Sequence, residues 1–478
     1  MFNPFSFITS VRLALLASIV ACTTADAKKP NLPAAADHHY GIYLNGGKVG
    51  WMRSQVIVGN QVQYRIDLEA SVGGMGTVSK VVLCDSRTYD AKSRQLHALE
   101  FSQTAATGAV KVEGVREDAG LRLTITAGGS STTQLVEASD TLDDAMVVER
   151  LVSAPRVGAQ AVSKRYDPSI QRLVHVEHKI SAVEERPFGG VLIKMVQVDS
   201  TYPELGISES SWLDDTGKVL EQRVGGFFVA RLEPADVARK LDFHQDLLVN
   251  AVVKTPEPLR DSTSIDKMRV TLRGFGELLP PASKRQVVSR KNGDVVLELT
   301  RESAPPTCVI GANVSGDAAT HLEATAFIQT KAPEIIEAAK RVTKGATDVF
   351  AATSRLSDFV FAHIRDEYVP AYSNALEALK SGRGDCTEHS ILFVAMARSL
   401  GIPARVAVGV AYWPPGNGFG WHAWAEVYAN GGWYSVDPTW GQPIADATHI
   451  KLADGGPAEQ ARIVMLLGQL QVVSLEVP

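Results

Sequence analysis

Residues Gly384–Val410 read GDCTEHSILFVAMARSLGIPARVAVGV. An apolar run of helical length sits here between two punctuation marks. Asp385 has Glu388 three residues later, the spacing of a capping box. Gly401 followed by Pro403 stops the helix at the other end. Ile391, Leu392, Val394, Ala395, Met396 and Leu400 cover most of its circumference, so the pattern predicts a helix buried in its domain. Cys386 is the first residue of that helix. Unpaired N–H groups at a helix start favour negative charge, so the thiol is expected below its free pKa of about 8.5. Taken alone, a cysteine at such a place is more often a packing residue, and its partners decide the matter.

A cysteine nucleophile needs a base, and the base needs an acceptor that orients it. Downstream, WHAWAEVYANGGWYSVDPTWG (Trp421–Gly441) reads as a β-hairpin. His422, Trp424, Glu426 and Tyr428 alternate on one face, Asn430-Gly431-Gly432 supplies the turn, and WYSVD returns. If Tyr428 pairs with Trp433, Trp424 faces Asp437. His422 and Asp437 are then diagonal neighbours on one face, within reach of each other, and a slip of one residue separates them. A lone strand histidine is usually structural, and Asp-Pro is usually turn chemistry. Metal ligation by Asp385, Cys386, Glu388 and His389 competes with this reading, but capping already accounts for the two carboxylates and the cysteine spacing matches no zinc module. Five of the seven tryptophans fall between Trp413 and Trp440, which suits an aromatic-walled cleft around His422.

The ordered set Gly-x-Cys at a helix start, Gly-Ile-Pro-Ala-Arg, His-Ala-Trp and Asp-Pro-Thr resembles the core of the transglutaminase-like superfamily over roughly Ala332–Leu452. The resemblance implies a papain-like domain of α+β class, helices packed on an antiparallel sheet. It also implies a triad: Cys386 as nucleophile, His422 as general base and acid, Asp437 as orienter. No cofactor and no metal are implied. The upstream oxyanion donor of that family is not placed by the sequence; Tyr368, Tyr372 and Asn374 are candidates.

Outward from this core the chain changes character. APEIIEAAKRVTKG, from Ala332, reads as a helix with Pro333 in its first turn and Gly345 past its end. Further helices are expected over about Thr347–Arg365 and Ala375–Lys380, which places the catalytic domain at 331–478. Residues 303–330, rich in Pro, Gly, Ala and Ser, read as a linker. Before it, 241–302 contains the strands KMRVTLRGF and DVVLELT and reads as a small β domain or an extension of the preceding sheet. From 38 to 240 the pattern is β-rich. In QVQYRIDLE, Val62, Tyr64, Ile66 and Leu68 share a face, the signature of a half-exposed antiparallel strand.

Residues 1–27 read as an export signal. Leu13–Cys22 is an apolar run of ten after Arg12, too short to span a bilayer comfortably. Ala25-Asp26-Ala27 fits signal-peptidase cleavage, and Ile19-Val20-Ala21-Cys22 fits a bacterial lipobox with lipidation at Cys22. The expectation is an exported protein, periplasmic or anchored at the outer membrane. Of the remaining cysteines, Cys84 and Cys308 read as buried core residues rather than a disulfide framework. The chain has 478 residues, 45% hydrophobic and 21% charged, with net charge -5. That composition suits a globular protein of two to four domains and offers no footprint for nucleic acid.

The functional expectation is a thiol-dependent acyl-transfer enzyme acting on amide bonds of a peptide or protein substrate. Water, the most abundant acceptor, makes a cysteine hydrolase or protease the first reading. The alternatives are a non-catalytic envelope scaffold or binding module and a cross-linking transglutaminase.

Overall fold

The computed structural model describes residues 32–478 except 45, 75–76, 106–107, 128–129, 138–139, 169–171, 204–206, 225–227, 241–251, 277, 306, 312–313, 315, 326, 368–373, 455–465 and 467. The expected export signal, with Cys22, and the candidates Tyr368 and Tyr372 lie outside the described residues. These residues form two compact units, divided in the chain between positions 245 and 246.

The N-terminal unit is one antiparallel sheet. Fourteen strands are found among its described residues: β1 (Ala36–Leu44), β2 (Gly47–Val58), β3 (Gln61–Gly74), β4 (Thr77–Asp90), β5 (Leu96–Ala105), β6 (Gly108–Glu117), β7 (Gly120–Ala127), β8 (Ser130–Val136), β9 (Gln160–Asp167), β10 (Arg172–Phe188), β11 (Val191–Tyr202), β12 (Ile207–Leu213), β13 (Val219–Val224) and β14 (Phe228–Leu232). Two meanders, β1 to β8 and β9 to β14, join where β1 pairs with β14. Alternation explains the strands. Val62, Tyr64, Ile66 and Leu68 of β3 are all buried, while their neighbours keep the other face wet. Two short helices, α1 (Leu142–Ala145) and α2 (Val147–Ser153), connect the meanders between β8 and β9.

The C-terminal unit is mixed. Its helices are α3 (Pro333–Val342), α4 (Val349–His363), α5 (Ala375–Ser381) and α6 (Cys386–Ser399). Its strands are β15 (Val253–Lys254), β16 (Lys267–Arg273), β17 (Gln286–Lys291), β18 (Asp294–Thr300), β19 (Arg365–Asp366), β20 (Arg383–Gly384), β21 (Ala404–Trp413), β22 (Gly418–Ala429), β23 (Gly432–Val436), β24 (Ile450–Asp454) and β25 (Gln471–Glu476). The central sheet runs β15-β22-β21-β24, with β23 on β22. Helix α6 contacts β22 and β21 on one side and α3, α4 and α5 on the other. Residues Cys386 to Ala397 are all buried, as expected of a helix apolar all round.

The described strands of the segment expected as a small β domain or sheet extension, 241–302, pair within the C-terminal unit. β15 pairs with β22, and β16 lies between β18 and the C-terminal strand β25. Its apolar residues, Met268, Val270, Leu272, Val295 and Leu297 among them, belong to the same core as α6. The partner of β16 lies some two hundred residues away in sequence, and local periodicity carries no information about such a pairing. Among the described residues of 303–330 the one helical element is the turn at Asp317–Thr320, and the segment lies inside this unit rather than between two domains. No helix among the described residues is long and apolar enough to cross a membrane.

Candidate active site

Helix α6 begins as its sequence requires. The Asp385 carboxylate accepts the Thr387 N–H at 2.8 Å, and Glu388 returns to the Asp385 N–H at 3.0 Å. The parallel bridge of β19 to β20 holds the residues just before the helix. Cys386 is therefore fixed at the first helical position, with no exposed surface. The backbone N–H of Ala423 points at its sulfur, which sets the thiol against the part of β22 that carries His422.

The expected depression of the thiol pKa does not occur. Burial pushes Cys386 up to about 12, and the nearby Asp385 carboxylate adds to the rise. The helix start does favour the thiolate, but a fully desolvated sulfur loses more hydration than a half charge returns. Burial also raises Asp385 to about 6 and raises Glu388 well above the usual carboxylate range.

The hairpin has the register counted from sequence. Tyr428 pairs with Trp433 and Ala425 with Val436. The turn is tighter than Asn-Gly-Gly: Gly432 already pairs with Ala429, and Asn430 and Gly431 alone take left-handed φ values of 47° and 78°, the two-residue turn that suits strand twist. His422 Nε2 donates to Asp437 Oδ2 at 2.9 Å. The other oxygen, Oδ1, accepts the backbone N–H groups of Thr439 at 2.8 Å and Trp440 at 3.3 Å. Burial alone would raise the Asp437 pKa, but its histidine partners hold it far below the usual range. Burial lowers His422 to about 4, against the pull of Asp437. With Nε2 donating, Nδ1 carries the lone pair, and that atom is buried without a hydrogen-bond partner among the described residues.

Two of the five clustered tryptophans flank this imidazole. Trp440 stacks on it at 4.3 Å between centroids and 12° between planes; Trp424 lies at 6.2 Å and 23°. Trp433 packs instead with His321 and Tyr428, beneath the Arg405 guanidinium. Asn374 is occupied as the N-cap of α5, accepting from Glu377 N at 3.0 Å.

Sequence reasoning missed His449. Its Nε2 lies 3.1 Å from the same Asp437 Oδ2, and its Nδ1 lies 3.2 Å from Asp446 Oδ1. The only hint is the Asp-x-x-His spacing of Asp446 and His449, too common to stand out. His422, Asp437 and His449 bring ligating-type atoms within 4.8 Å of one another. Both Nε2 atoms face an ionised carboxylate and donate to it, so the cluster reads as a hydrogen-bond hub rather than a metal centre. Cys84, Cys308 and Cys386 are all free thiols. The first two are half-buried rather than core residues.

Residues 336–438 match the family model of the Transglutaminase-like superfamily, a stretch that takes in α6, His422 and Asp437. No curated protein matches the chain. Among solved structures, a "Putative Cysteine Protease from Cytophaga hutchinsonii" is similar at 16% identity, covering 44% of this chain and 88% of that one, with a TM-score of 0.31. A "Beta-barrel-like Protein" of a domain of unknown function from Brucella abortus has 11% identity, covering 42% and 95%, with a TM-score of 0.32. A "Putative Protease from Parabacteroides distasonis" has 11% identity, covering 77% and 65%, with a TM-score of 0.20. At such TM-scores these likenesses establish neither a shared fold nor an activity.

Proposed function

We propose that the C-terminal unit is a thiol-dependent acyl-transfer enzyme that hydrolyses amide bonds of a peptide or protein substrate, with Cys386 as nucleophile, His422 as base and acid, and Asp437 as orienter. One observation carries the reading: His422 donates through Nε2 to Asp437 and leaves Nδ1 free, on a strand whose Ala423 N–H meets the Cys386 sulfur. An imidazole so held has one tautomer and one direction in which to accept a proton.

The thiol and the imidazole are both neutral at rest, because burial raises the first and lowers the second. Attack and proton transfer are therefore coupled. As sulfur bonds to the carbonyl carbon, its proton passes to His422 Nδ1, and Asp437 stabilises the imidazolium that forms. The N–H of Cys386, unpaired within the helix as every first-turn N–H is, supports the oxyanion. His422 then protonates the leaving amine, and water resolves the thioester. An amine in place of water would make the same site a cross-linking transferase.

A non-catalytic scaffold is the second reading, and the complete burial of the Cys386 sulfur favours it. Peptide-cleavage profiling of the mature protein against Cys386→Ala separates the two. We expect cleavage products to vanish in the variant. His422→Ala and Asp437→Ala should each lower turnover by a factor of about 10²–10⁴ with the circular dichroism spectrum unchanged. Identical profiles for wild type and Cys386→Ala would leave the scaffold standing. We also propose export, supported by Leu13–Cys22. Intact mass of the envelope-associated protein distinguishes cleavage after Ala27 from a lipidated Cys22.

A further inference from the structure

The hub around Asp437 holds one more histidine than a triad uses. His449 is fully buried, and both of its ring nitrogens face acceptors. Nε2 meets Asp437 Oδ2 at 3.1 Å. Nδ1 meets Asp446 Oδ1 at 3.2 Å and the Asp446 carbonyl at 3.3 Å. A neutral imidazole has one N–H, so it would point a lone pair at one of these carboxylates; only the doubly protonated ring satisfies both. Asp446 is itself committed as an ionised acceptor. Its Oδ1 takes Thr448 N at 2.8 Å and Thr448 Oγ1 at 2.6 Å, and its Oδ2 takes Gln442 Nε2 at 2.8 Å.

The loop bearing these groups is clamped by the segment 252–302. Arg285 donates to the Asp446 carbonyl at 2.7 Å. The Gln286 side chain pairs with both backbone groups of Lys451, at 2.8 and 2.9 Å. Ala447 N donates to Ile265 O at 3.0 Å. His449 is thus placed by tertiary structure as firmly as His422 is placed by its strand.

We propose that His449 is a positioning residue of the triad, a buried imidazolium bridging Asp446 and Asp437 that locks the shared Asp437 oxygen and keeps His422 in its neutral, proton-accepting form. The inference rests on the Cys386–His422–Asp437 reading above. Asp437 Oδ2 accepts from two rings at once, and Oδ1 accepts two backbone N–H groups, so the carboxylate is held by four donors. Its charge is shared with the His449 imidazolium and draws a proton onto His422 less strongly. The titratable groups set against His422 and His449 are Asp437, Asp446 and each other, with His389 in electrostatic reach of Asp437; the Trp424 and Trp440 rings pack against both imidazoles. Burial and the two carboxylates pull His449 in opposite directions, and the carboxylates win, raising it to about 9.

The test uses the full chain. In ¹⁵N spectra of histidine-labelled protein at pH 7, we expect both His449 nitrogens at imidazolium shifts and His422 in the neutral Nε2–H form. In His449→Gln, the acid limb of the kcat/KM profile should move up by about one pH unit or more. kcat should fall about 10–100-fold, the range seen for hydrogen-bond partners that orient metal-ligating histidines, with KM changed less than about twofold. Asp446→Asn, close in size to the native side chain, should move the limb the same way by removing one carboxylate that keeps His449 charged; it serves if His449→Gln does not fold. A neutral His449 in the spectra, or acid limbs that superimpose in both variants, would overturn the proposal. Full activity in Cys386→Ala would instead remove the triad reading and the positioning role together, while the spectra would still report the charge of His449.

Discussion

At the scale of single residues, the site is governed by desolvation. A helix start and a cysteine suggest a ready thiolate, yet the sulfur is buried beside Asp385 and pushed to about 12. His422, lowered to about 4, does not hold the proton either. The resting pair is thiol and imidazole. Alkylation of Cys386 by iodoacetamide, read by mass spectrometry in a Cys84→Ser, Cys308→Ser background, should therefore climb with pH through neutrality. A rate already at its limit at pH 5 would reveal a thiolate–imidazolium pair and refute this picture.

At the scale of elements, two devices hold the candidate site. The first is the capping box of α6, whose carboxyls are both buried. Glu388 has a folded pKa raised by burial and by Asp385, so it keeps a proton that the unfolded chain releases above about 4.5. The folded state binds more protons in that window, and this contribution to stability is lost as pH rises toward the folded value. The stability difference between wild type and Glu388→Gln, from urea unfolding, should fall as pH rises from 5 to 8. Gln mimics the protonated carboxyl without titrating, so a flat difference would disprove a protonated Glu388. The second device is the packing of β21 against β24. Gly409 pairs with His422 on one side and Lys451 on the other. A Cβ there would sit 2.0 Å from the Ile450 carbonyl oxygen. Gly409→Ala should cost about 1–3 kcal/mol in urea unfolding and should also lower turnover, because β24 follows His449 directly. A buried network holds the same register: Lys451 pairs with Glu426 at 2.8 Å and with Asp454 at 2.6 Å, and Arg405 meets Glu426 at 2.7 Å. Breaking one partner of such a network is costly because the other charge is stranded.

At the scale of the whole molecule, the C-terminal unit begins earlier in the chain than its motifs do. β16 to β18 share a core with α6, and β16 carries the C-terminal strand β25. Arg285 and Gln286 clamp the loop of His449. A fragment starting at residue 331 exposes this core and leaves β25 unpaired. It should be insoluble or lack a cooperative unfolding transition by calorimetry, whereas a fragment starting at residue 246 should show one. A cooperative transition in the shorter fragment would refute the dependence.

Periodicity and end signals made the local structure legible. Asp385, Glu388, Gly401 and Pro403 bound α6, and alternation from His422 to Tyr428 with an Asn-Gly turn sets the hairpin register. That register brings an imidazole to a carboxylate, because both lie within twenty residues and obey local rules of twist and pleat. Tertiary structure alone decided what depends on distant chain meeting in space: the strand pairing of β16 with β25, the place of 252–302 in the C-terminal unit, and the approach of His449 to Asp437. It also decided the protonation of the site. Burial is a property of the packed molecule, and only packing sets the desolvation of Cys386 against the weak field of its helix.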